Sequence, residues 1–150
     1  MPTSRPNLGD LLVRIGIINL EQLASALAYQ RRVAGTLVTA LVSSAIVGEE
    51  ELVRCFQSEF RLPIIDLATV RPTREALKLV SHEMASRHAV LPIGLAGTSL
   101  TIAIADPTNQ DGLQQVKFAS GCDLRMALAP ARSLLLSIDR MYAALTRAAS

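Results

Sequence analysis

The sequence predicts an α+β fold with two parts. The first, about residues 7–61, is helical and built as two tandem helical hairpins. The second, about residues 62–146, is a small α/β unit with a four-stranded sheet. Three observations carry this. The first sixty residues hold apolar side chains at helical spacing between capping and stop signals. One pattern recurs at a fixed offset. Beyond Pro63, short β-branched runs alternate with helical stretches.

In the first hairpin, Asn7 reads as the cap of a helix from Leu8 toward Ile15, with Gly16 as its stop. Asn19 then caps a second helix, and Gln22, three residues on, completes a capping box. Leu23, Leu27 and Gln30 fall on one face of that helix. The pattern is Leu8-Gly9-x-x-Leu12-x-x-x-Gly16, six residues, then Leu23-x-x-x-Leu27-x-x-Gln30. It returns 29 positions later as Leu37-Val38-x-x-Leu41-x-x-x-Ala45, six residues, then Leu52-x-x-x-Phe56-x-x-Glu59. Glu21 matches Glu50 in the same register. Arg61-Leu62-Pro63 closes the helical part, because proline cannot continue a helix.

The second part starts with a short strand, Ile64 to Leu67. A helix opens at Thr73 and runs to about Val80, and Ser81 caps another. Ala89 to Leu95 and Leu100 to Ala105 read as strands joined by the hairpin turn Ala96-Gly97-Thr98-Ser99. After Asp106-Pro107, a helix spans about Gln110 to Ala119 and stops at Gly121. Leu124 to Ala129 is the fourth strand, and Arg132 to Leu145 the last helix. Helices packed against one face would bury this sheet.

Composition narrows the function. Of 150 residues, half are hydrophobic but only 3% aromatic, with no tryptophan, so the chain lacks rings for stacking on bases. With 15 basic and 13 acidic residues, the net charge of +2 is too small for a polyanion binder, and neither DNA nor RNA is an expected partner. Arg31-Arg32 reads as solvated helix-end charge. Cys55 and Cys122 lie in apolar surroundings and read as buried free thiols of a reducing cytoplasm. No apolar run is long enough to span a membrane, and Met1 to Asn7 does not read as a secretory leader.

Catalytic and metal signatures are missing as well. No Gly-x-x-x-x-Gly-Lys-Ser/Thr loop occurs, and neither lysine, Lys78 or Lys117, follows one. His82 and His88 are six apart, which does not put two ligands on one helix face. No serine sits in a Gly-x-Ser-x-Gly elbow. Asp66, Asp106 and Asp111 lie at element ends, where capping and turn roles suit them. The expectation is no enzyme, no cofactor and no metal.

From Leu8 to about Tyr142 the chain resembles the N-terminal domain of type II secretion and type IV pilus assembly ATPases, the family that includes the MshEN-type domain. The first motif copy, Phe60-Arg61-Leu62-Pro63-Ile64-Ile65-Asp66-Leu67, Val90-Leu91-Pro92-Ile93 and Leu100 to Thr108 carry the resemblance, the last with alternation running into Asp106-Pro107. The resemblance implies two kinds of function. One is docking of an assembly motor onto a protein partner, a secretion or pilus assembly component, in the cytoplasm and at the inner membrane without insertion. The other is binding of cyclic di-GMP by the duplicated motif, Arg-Leu-Gly-x-x-Leu-x-x-x-Gly, six residues, Leu-x-x-x-Leu-x-x-Gln.

Against that motif the two copies differ. The first departs only at Asn7, which replaces the leading arginine. In the second, Thr36, Val38, Ala45 and Glu59 replace Arg, Gly, Gly and Gln. Asn and Thr carry no guanidinium, Val38 blocks close backbone approach, and an ionised Glu59 accepts but cannot donate. A docking module is therefore the leading expectation, and a cyclic di-GMP sensor the alternative. The sensor would use Leu8, Gly9, Leu12, Gly16, Leu23, Leu27 and Gln30, with Leu37 and Leu41 kept from the second copy. The same leucines and glycines also serve hairpin packing and turning, so both readings of the motif stand. The closing Ala148-Ala149-Ser150 reads as a frayed tail and favours a complete short chain over a fragment of a longer ATPase.

Overall fold

A computed structural model describes residues 8–33 and 36–149. Four helices come first: α1 (Leu8–Arg14), α2 (Leu20–Val33), α3 (Leu37–Ser43) and α4 (Glu49–Phe60). The Asn7 cap lies outside the described residues. The capping box of α2 is present in both directions. Gln22 N–H donates to Asn19 Oδ1 at 2.7 Å, and Asn19 N–H donates to Gln22 Oε1 at 2.9 Å.

The repeat is geometric as well as textual. Helix α1 ends with Ile17 N–H and Ile18 N–H donating to the Leu12 carbonyl at 2.9 and 3.4 Å. Helix α3 ends with Ile46 N–H and Val47 N–H donating to the Leu41 carbonyl at 3.0 and 3.3 Å. Both turns need a left-handed residue: Gly16 has φ +88° and Ala45, its counterpart, φ +63°. A left-handed alanine is strained by its Cβ, a cost the first copy avoids. Thr36, at the position of the lost arginine, caps α3 by accepting from Thr39 N–H at 3.1 Å.

The α/β half follows as α5 (Arg74–Lys78), α6 (His82–His88), β1 (Val90–Ala96), β2 (Ser99–Ile104), α7 (Gln110–Ser120), β3 (Asp123–Leu128) and α8 (Ala131–Ala149). Thr73 caps α5 and Ser81 caps α6 through their hydroxyls. Strands β1 and β2 form an antiparallel hairpin around Gly97, whose φ is +62°. Strand β3 returns through α7 to lie parallel to β2. Pro92 sits on β1, an edge strand, where its missing N–H is tolerated.

Among the described residues the sheet has three strands in the order β1-β2-β3, which corrects the expected four. The segment from Ile64 to Leu67 forms one isolated parallel bridge, Ile64 with Leu128. Two prolines limit it. Leu128 N–H donates to the Pro63 carbonyl at 2.7 Å, and Ile65 N–H to the Leu128 carbonyl at 2.9 Å. One step back, the ladder would need an N–H on Pro63; one step on, it would need one on Pro130. Asp66 then turns the chain away, accepting from Ala68 N–H on its side chain at 3.0 Å.

One hydrophobic cluster runs through both halves, from Leu12, Leu41 and Phe56 to Leu100, Ile102, Leu134 and Ile138. Where they meet, Glu49 Oε1 at the start of α4 accepts from Arg132 N–H and Ser133 N–H at 3.1 and 3.3 Å. A carboxylate there satisfies the first turn of α8 and complements its dipole. Among the described residues no helix is long and apolar enough to cross a membrane.

Candidate functional site

The first repeat and the α/β half do not close on each other. Between them lies a cleft of about 620 Å³. Its helical wall is Leu8, Gly9 and Asp10 of α1, Leu23, Leu27 and Gln30 of α2, and Thr36 and Leu37 at the start of α3. The other wall is Arg87 and His88 at the end of α6, with Asp106, Thr108 and Asn109 from the turn before α7.

Six of the nine residues singled out from sequence therefore meet at one place: Leu8, Gly9, Leu23, Leu27, Gln30 and Leu37. The other three do not line it. Leu12 and Leu41 are wholly buried in the core, and Gly16 stands exposed at the turn after α1. Helical periodicity explains the split. Leu8 and Leu12 both face inward, but only the first turn of α1 reaches the cleft mouth.

The α/β wall is a connected polar network that the motif does not mention. Asp106 Oδ1 accepts from the hydroxyl of Thr108 at 2.6 Å and from its N–H at 2.9 Å. Burial pushes the Asp106 carboxyl above the usual carboxylate range, and these two bonds oppose that rise. Asn109 caps α7 by accepting from Gly112 N–H at 3.0 Å, and its amide donates to His88 Nδ1 at 3.4 Å. His88 Nε2 donates to Gln115 Oε1 at 3.3 Å, so this pattern assigns the ring its Nε2–H tautomer. Gly112 is required here: a Cβ would run into Asn109 Nδ2 and lie 2.6 Å from His88 Nδ1. Arg87 faces Glu83 at 3.4 Å across open solvent, a weak tie that leaves its guanidinium available.

A sequence signal for this wall existed. Asp106-Pro107 reads from sequence as a chain break and turn, and it closes the Leu100 to Thr108 segment that carries the family resemblance. The other histidine lies elsewhere: His82 pairs with Asp139 at 2.9 Å and stacks on Tyr142 at 5.0 Å between ring centroids. The Tyr142 hydroxyl donates to the Val80 carbonyl at 2.7 Å, and burial pushes its phenol pKa up. Both cysteines are free and half-buried rather than fully enclosed. Burial, with Glu59 and Glu51 nearby, raises the Cys55 thiol pKa and so disfavours the thiolate.

A second hollow, about 880 Å³, lies between residues 64–72 and one face of α8. Its wall on α8 is Ser133, Leu136, Ser137, Arg140 and Met141, a stripe at helical spacing. Leu136 is 67% exposed there.

Comparison with known proteins fits this architecture. The chain is 33% identical over 136 residues to the type IV pilus assembly ATPase PilB of Myxococcus xanthus, covering 91% of this chain and 24% of that protein. It is 26% identical over 135 residues to PilB of Pseudomonas aeruginosa, covering 90% of this chain and 24% of that protein. The chain thus spans about a quarter of the length of these relatives. A solved structure of MshE with cdg superimposes with a TM-score of 0.62 at 31% identity, covering 91% of this chain and 99% of that one. The N-terminal domain of XpsE superimposes with a TM-score of 0.70 at 16% identity, covering 91% of this chain and 98% of that one, a likeness of fold. Residues 60–148 match the MshEN domain, and the chain belongs to the MshEN domain family of the pilus and secretion ATPases.

Proposed function

We propose that this chain is a non-catalytic regulatory and docking module, and that its cleft binds cyclic di-GMP. The observation that carries the ligand is the convergence of Leu8, Gly9, Leu23, Leu27, Gln30 and Leu37 with a polar wall from the α/β half. The parts suit a guanine nucleotide. Leu23 and Leu27 offer an apolar surface to a flat base. The Gln30 amide both donates and accepts, and Asp106 Oδ2, the oxygen not taken by Thr108, offers an acceptor to the N1–H or amino group of guanine. Gly9 lines the same wall and carries no side chain to fill the cleft. Arg87 supplies the cation for a phosphate. The likeness to MshE, solved with cdg, supports the same reading.

Calorimetric titration of the protein with cyclic di-GMP tests it. Saturable binding is expected, weakened about tenfold by Gln30→Ala, the worth of one hydrogen bond of about 1–1.5 kcal/mol. Absence of heat with ligand in large excess overturns it.

The docking role rests on a different observation, the exposed Leu136 in the hollow along α8. A cytoplasmic protein partner from a secretion or pilus assembly would cover it and recruit the module to the inner membrane. A Leu136→Asp variant that captures the same cellular partner as the parent chain ends this reading.

A further inference from the structure

The proposed ligand has two identical halves, and the repeat offers two equivalent faces to receive them. The first face, on α2, is Leu23, Leu27 and Gln30. The second, on α4, is Leu52, Phe56 and Glu59, displaced by the same 29 positions. The two faces have different fates. Leu27 is 37% exposed at the cleft, whereas Leu52 and Phe56 are 2% and 1% exposed.

The second face is filled by the protein itself. Val38, Leu52, Val53 and Phe56 close against Ala105, Ala129 and Ala131 of the α/β half, leaving no room for a water molecule. Three alanines at the contact let the backbones come close. Glu49 fastens the same seam by capping α8. Opening it would expose a large part of the core, at a cost no single nucleotide contact repays. Thr36, where the family has arginine, is committed to capping α3. Glu59 is exposed and adds a negative charge.

Electrostatics limit the open face as well. Among the described lining residues Arg87 is the one guanidinium, and a single guanidinium pairs with one phosphate.

We infer, resting on the cyclic di-GMP reading, that the cleft engages a single guanine nucleotide unit, with one base on Leu23, Leu27 and Gln30 and one phosphate on Arg87. The other half of a cyclic dinucleotide projects into solvent. Closing the ring then adds little to binding beyond the statistical factor of two offered by two equivalent halves.

The experiment titrates the whole chain with cyclic di-GMP, linear pGpG and GMP under one buffer condition. The expected dissociation constants lie within about threefold of one another. Gln30→Ala and Arg87→Ala weaken all three in parallel. Glu59→Gln, an exposed change restoring the family residue, leaves all three unchanged. Cyclic di-GMP binding at least tenfold tighter than pGpG and GMP overturns the single-unit inference while leaving the ligand reading intact. Tightening of cyclic di-GMP alone by Glu59→Gln does the same. Failure of all three ligands to bind removes both.

Discussion

Ala45 is the place where the second repeat bears a cost that the first does not. Its φ is +63°, in the turn where the first repeat has Gly16 at +88°. For a residue with a Cβ this conformation costs about 1–2 kcal/mol relative to the right-handed region. Ala45→Gly removes that strain and buries or exposes nothing of consequence, because Ala45 is exposed. The glycine returns some of the gain by loosening the unfolded chain, by about 0.4–1 kcal/mol. The expected net is a stabilisation of about 0.5–1 kcal/mol, which raises Tm by roughly 1–4 °C for a domain of this size. Gly16→Ala is the mirror experiment. A Cβ built on Gly16 meets nothing within 4 Å, so backbone strain alone acts, and a loss of similar size is expected. The double variant should melt within about 1 °C of the parent, since the changes are chemically equal and opposite. Urea and thermal melts of the four proteins read the result. A destabilised Ala45→Gly, or a neutral Gly16→Ala, refutes the claim that the two turns share one left-handed requirement.

Three other outcomes are expected. Glu49→Ala strips the cap from α8 and loosens the seam between the halves, costing about 1 kcal/mol in a urea melt. Asp106 has a folded pKa raised above its unfolded value, so the folded state holds its proton longer as pH climbs. Stability therefore falls as pH rises from the ordinary carboxylate range through that raised value. Asp106→Asn should flatten this fall in melts taken across the window and leave acid stability alone. Gly112→Ala pushes a methyl into Asn109 and His88, so it should lower Tm and weaken cyclic di-GMP binding in the same titration. Unchanged affinity would detach the His88-Asn109 network from the cleft.

The relation between the expected and the observed sheet shows what short-range reading can miss. Ile64 to Leu67 has the composition of a strand and does reach β3, yet it makes only one bridge. The reason is a pair of prolines 67 positions apart, Pro63 and Pro130, whose missing N–H groups matter only once the register of the two segments is known. Most caps are readable because they are local, unlike the one Glu49 supplies to α8. Asn19 with Gln22, Thr73 and Ser81 satisfy N–H groups within three residues of themselves, and no distant partner can alter that.

The candidate site divides the same way. One wall, Leu8 to Gln30 with Leu37, was visible as a motif at helical spacing. The other wall, Arg87, His88, Asp106, Thr108 and Asn109, comes from turns and helix ends fifty or more residues away. Nothing in its spacing announces a shared surface.

By itself the sequence determined the tandem hairpins, their offset and their turns, because a residue's helix, cap or left-handed turn depends on near neighbours. Only the tertiary structure decided which copy stays open. Both copies present an apolar face, and burying one of them against Ala105, Ala129 and Ala131 removes water from Leu52 and Phe56 and builds the core. The other faces Arg87 and the polar turn before α7; the Arg87 tie to Glu83 lies in solvent, so closing leucines over it would strip water from a charge, and a cleft remains.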